Sequence, residues 1–152
     1  MNSVVAGTLE ELPEWAAQLL ETARVAHLGL LDDDARPRVL PVTFALVDGA
    51  VWTAVDDKPK QRPPEKIARV RWLRARPASA FTVDHYDDDW TQLAWVQLVG
   101  DTTVIDPGGN ERVLEALAGR YEHYRRHAPP GPLLRLDPIR ALCWRASQPD
   151  PQ

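Results

Sequence analysis

The chain has 152 residues, 44% hydrophobic and 26% charged, with a formal charge of −4, the balance of one globular domain able to bury a real core. An acidic balance speaks against a general nucleic-acid binder but leaves room for a local anionic ligand. Cys143 is the only cysteine, which excludes an intramolecular disulfide and a thiolate metal cluster, and no stretch reaches the ~18 uninterrupted apolar residues of a membrane span.

Residues 1–7 carry neither a charged leader region nor a long apolar run, so a cytoplasmic protein without a membrane partner is expected. In residues 12–23, Leu12, Trp15, Ala16, Leu19, Leu20 and Ala23 recur at helical spacing, and Pro13 suits a first turn. "RVAHLGLLD" reads as a strand, "DDDARP" has turn chemistry, and "RVLPVTFALV" is a second strand. Pro41 inside that run marks an edge or a bulge, where a missing ladder bond does least harm. Asp48-Gly49 predicts a hairpin turn, with "AVWTAV" as the returning strand.

Pro59, Pro63 and Pro64 force a loop before Glu65 opens a helix of about three turns. "ASAFTVDHY" and "QLAWVQLVGDTTVID" are the next strands, joined by the acidic "DDDW" loop. "GGNERVLEALAGRYEHYRR" predicts a further helix, broken by "APPGP", and "LLRLDPIRALCWRAS" a last strand or bent pair. Residues 1–147 are expected to form one domain and residues 148–152 to fray. Six meandering antiparallel strands with helices between them predict a mainly β fold, a small barrel with flanking helices.

The candidate chemistry is sparse. His123 and His127 have i, i+4 spacing but lie beside Arg125 and Arg126 without the glutamate of an HExxH pair, so a solvated helix end is expected. The loop with Asp84, His85, Asp87, Asp88 and Asp89 lacks the glycine and closing glutamate of a calcium loop. No serine has a GxSxG setting, and Cys143 in "ALCW" reads as a small buried hydrophobe. An enzyme built on this chain would therefore rely on an organic cofactor, with no catalytic side chain assigned.

One segment stands apart. From Lys58 to Arg76 there are eight basic residues (Lys58, Lys60, Arg62, Lys66, Arg69, Arg71, Arg74, Arg76) against Glu65 alone, so a +7 window sits in a chain whose remainder is −11. Lys66 and Arg69 share a helix face while Arg71 and Arg74 form a separate pair, so all eight cannot grip one ligand. Lys58 and Lys60 leave a strand end through a proline-stiffened loop and Arg69 follows on the helix, an arrangement suited to phosphate or carboxylate groups.

"ARPRVLPVTFAL", "VWTAVDDKPK", the basic helix ending in "LRARP" and "FTVDHYDDDWTQLAWVQLVGDTTV" together resemble the pyridoxamine 5'-phosphate oxidase-like split β-barrel superfamily. The likeness is greatest to its actinobacterial branch, which uses the deazaflavin coenzyme F420 in place of FMN. The resemblance implies a six-stranded antiparallel split β-barrel of FMN-binding type, forming a homodimer with cofactor at the interface and acting on a small-molecule substrate. It implies that Pro41, Val42 and Thr43 line the ring, that Thr53, Ala54 and Val55 run beside it, and that Lys58, Lys60 and Arg69 meet the phosphate and its extension. Trp90, and with it Trp95, would reach the ring from the partner subunit. Where the family often carries Asn in the helix and Asn-Pro at its end, this chain has Trp72 and Arg76-Pro77, which leaves Lys66 as an alternative to Arg69.

FMN ends in one phosphate, whereas F420 continues into a lactyl and oligoglutamate tail with several carboxylates. A +7 segment suits the longer polyanion, so F420 is the expected cofactor and FMN the alternative. The expected activity is hydride transfer at the deazaflavin C5; a non-catalytic F420 carrier or storage protein is the competing reading.

Overall fold

The six expected strand segments are all present in the computed structural model, which describes residues 3–55 and 67–146, but they form seven of the eight strands among those residues. In chain order these are β1 (Ser3–Ala6), α1 (Glu14–Thr22), β2 (Ala26–Leu31), β3 (Pro37–Val42), β4 (Ala45–Val47), β5 (Ala50–Ala54), α2 (Ala68–Ala75), β6 (Ala78–His85), β7 (Ala94–Ile105), α3 (Glu111–Arg120), α4 (Glu122–Arg126) and β8 (Leu133–Arg145). The run expected as one second strand is divided into β3 and β4 at Thr43-Phe44, and β1 is additional.

All pairings are antiparallel, in the order β3-β2-β6-β7-β8-β5-β4, with β1 also on β8. The two ends of this path, β3 and β4, are consecutive in the chain and separated only by Thr43 and Phe44. In a flat sheet those edges would lie about 29 Å apart, at ~4.8 Å per strand. The link from Val42 to Ala45 spans at most ~11 Å. The sheet must therefore curl until its edges almost meet.

β8 makes the split. It pairs with β7 along its length, while its other side serves β5 through Leu133–Leu136 and β1 through Ala141–Trp144. Between those halves a bulge interrupts the β7 register at Val99/Gly100. Gly100 fits there because a Cβ would collide with the Asp137 carbonyl.

Alternation along the strands divides the sheet's two faces. Leu28, Leu30, Phe81, Val83, Val96, Leu98, Ala141 and Cys143 point into the barrel and pack with Leu12, Ala16 and Leu20 from the α1 region and Leu73 of α2. A second core forms where α3 and α4 cover β4 and β5, with Trp52, Ala54, Val113, Leu117, Tyr121 and Tyr124. β5 is thus covered on both faces and buried throughout. Pro41 lies on edge strand β3, as its missing N–H requires. The β4–β5 turn has positive φ at both Asp48 (53°) and Gly49 (74°), the geometry of a tight I′ hairpin.

The helices are shorter than the sequence pattern implies. α1 begins after Pro13, not at Leu12. α2 has eight residues, about two turns; the Glu65 start expected for it lies outside the described residues. The late helix is broken at Tyr121, whose extended backbone (φ −127°, ψ 119°) ends α3 and begins α4. No helix among the described residues is long and apolar enough to cross a membrane.

Candidate cofactor site at the split of the barrel

The β4–β5 ladder ends at Ala45↔Trp52. Continued by two residues, that register sets Phe44 level with Thr53 and Thr43 level with Ala54. Of the two stretches expected to line a cofactor, 41–43 and 53–55, Thr43 stands two residues before this ladder's last pair and Thr53 one residue after it, while Pro41 and Val42 pair with β2. Pro41 is exposed, Val42 buried and Thr43 half-buried. Thr53, Ala54 and Val55 are all buried. Val55 is pinned beyond β5 by N–H donation to the Pro132 carbonyl (3.1 Å) and acceptance from the Gly131 N–H (3.2 Å).

Thr53 Oγ1 is buried without a hydrogen-bond partner among the described residues. An unmet buried hydroxyl costs on the order of 1–3 kcal/mol. Its position at the end of β5 fits a bound group with polar atoms at the split.

Arg69 is half-buried on α2, which packs against β2 and β7, and it has no acidic partner among the described residues. Two other cations of the segment, Arg71 and Arg76, are already engaged. Arg71 donates to Asp33 through Nη2–Oδ2 (2.8 Å) and Nε–Oδ1 (3.4 Å), and Arg76 Nη1 donates to the carbonyls of Asp32 (3.2 Å) and Asp33 (3.4 Å). These bonds fasten α2 to the turn between β2 and β3, so the full +7 is not available to a ligand. The Arg71 guanidinium holds the Asp33 carboxyl below its ordinary range, and the Arg71 pKa is raised in turn. Lys58, Lys60 and the alternative Lys66 lie outside the described residues.

Trp90 opens a short 3-10 turn between β6 and β7 and is 69% exposed, while Trp95 on β7 is half-buried opposite Trp144. The acidic loop around Trp90 caps itself. Asp87 Oδ1 accepts from the Asp89 N–H (2.8 Å), and Asp89 Oδ1 accepts from the N–H and hydroxyl of Thr91 (3.1 and 2.7 Å). His123 and His127 are exposed on α4 and at its end, and the described residues contain no group of three His, Cys, Asp or Glu able to hold a metal ion. Cys143 is fully buried, and burial pushes its thiol pKa up, the opposite of what a nucleophile needs.

Sequence reasoning missed the contribution of the α3–α4 break. The Tyr121 hydroxyl accepts from the Phe44 N–H (3.1 Å) and donates to the Arg24 carbonyl (2.9 Å). The Tyr124 hydroxyl is 2.8 Å from Thr43 Oγ1. Arg120 stacks on Phe44, 4.6 Å from the ring centroid, and donates to the carbonyls of Glu21 (2.6 Å) and Ala23 (2.5 Å). Three residues at one helix break thus hold the two-residue link that turns β3 into β4. The available signal was two tyrosines at i, i+3 within an otherwise charged stretch.

An antiparallel sheet curled until one chain segment supplies both edges, and split along β8, defines a split-barrel protein. The pyridoxamine 5'-phosphate oxidase family model matches residues 13–138, and the chain belongs to that family. No curated protein sequence matches it. Among solved structures, a conserved hypothetical protein of Mycobacterium tuberculosis is 18% identical with a TM-score of 0.72, over 92% of this chain and 88% of that one. HutZ, the haem storage protein of Vibrio cholerae, is 12% identical with a TM-score of 0.68, over 85% and 91%. An F420 reductase is 22% identical with a TM-score of 0.62, over 84% and 95%. At these identities the likeness is one of fold.

Proposed function

We propose that the chain is an F420-dependent oxidoreductase that works as a homodimer on a small organic substrate. The observation that supports this reading is the buried end of β5, where the Thr53 hydroxyl finds no partner among the described residues, with a strongly basic segment following directly in the chain. Family membership and the fold likeness to an F420 reductase support it.

In this reading Pro41, Val42, Thr43, Thr53, Ala54 and Val55 flank the ring, and Lys58, Lys60 and Arg69 meet the phosphate and its acidic extension. The bound deazaflavin supplies hydride transfer at C5. The chain's task is to bind the tail, hold the ring against a substrate and keep water out, with solvent serving any proton required.

A second copy is supported by the outer face of the sheet. Val39, Gly29, Ala80 and Val99 form one cross-strand row that ends on Arg140, and Pro41, His27, Thr82, Gln97 and Leu142 form the next. Val39 is 66% exposed in a single copy. The exposed Trp90 is assigned to the partner's cofactor ring.

FMN in the same place is the alternative cofactor. A binder without chemistry is the second reading, favoured by the burial of all of Thr53, Ala54 and Val55 and by the fold shared with a haem storage protein. The test is to load the purified protein with reduced F420 and follow its oxidation optically against a panel of quinones, nitroaromatics and tetrapyrroles. Turnover with any of these supports the enzyme; tight binding with no turnover across the panel supports the carrier.

A further inference from the structure

We draw no further inference here: the strongest candidate, the buried Thr53 hydroxyl at the end of β5 that finds no partner among the described residues, belongs to the cofactor site already described.

Discussion

Arg71 on α2 and Asp33 in the β2–β3 turn face each other with Nη2 and Oδ2 2.8 Å apart. This pair joins the basic helix to the acidic turn "DDDARP", two features that look unrelated in the sequence. It also removes one cation from those available to a ligand. The neighbouring Asp32 organises the turn itself, accepting from the N–H groups of Asp34 and Arg36 at 3.0 Å each.

Both carboxyls have pKa values below the ordinary 3.8, Asp32 chiefly through the Arg36 N–H and Asp33 chiefly through Arg71. Such groups take up protons in the unfolded chain before the folded one as pH falls. Their stabilisation is therefore present above the unfolded value and is lost as pH drops through the folded value. Asp33→Asn should lower the melting temperature slightly at pH 7, because the pair is solvent-exposed. That difference should shrink once the pH falls below about 4. Thermal scans of both proteins from pH 7 to pH 3 check this; a difference independent of pH would assign the loss to something other than charge.

Gly100→Ala tests the bulge that divides β8. The new Cβ would overlap the Asp137 carbonyl oxygen and lie 2.9 Å from its carbon and 3.1 Å from Pro138 Cα. These are backbone atoms of the neighbouring strand, so no side chain can swing aside. The expected cost is about 3 kcal/mol, read as a lower urea midpoint. A near-wild-type midpoint would show that the bulge yields easily.

Much of the fold was legible because its signals are local. Alternation in "ASAFTV" matches the buried Ser79, Phe81 and Val83 of β6, and Asp48-Gly49 gave the hairpin turn. The division of the second strand was not legible, since "VTFALV" is an unbroken apolar run. What ends β3 is a change of partner from β2 to β5, which is a tertiary event. The helix break at Tyr121 likewise has no proline or glycine at the position. The site was legible only in part for the same reason: Thr43 stands out beside Pro41, but its partner Tyr124 lies on a helix that reads as ordinary amphipathic surface.

Val39→Asp addresses assembly. Val39 sits on edge strand β3 opposite Gly29 and is largely exposed on the sheet's outer face. Two copies meeting through that face would bury like charges, so the variant should be monomeric at micromolar concentration while its far-ultraviolet circular dichroism stays native. Light scattering decides this. A wild-type monomer with cofactor bound would remove the dimer from the account.

The central claim is that the basic segment reads a polyanionic cofactor tail. Exposed charge pairs are screened over ~10 Å at 0.1 M salt, so affinity should depend on tail length and ionic strength together. Calorimetric titration with F420, with a fragment of it lacking the glutamates, and with FMN, each at low and high salt, tests this most directly. The account predicts F420 tightest, the fragment weaker by a margin that narrows as salt rises, and FMN weakest. FMN binding tighter than F420 at low salt would contradict it.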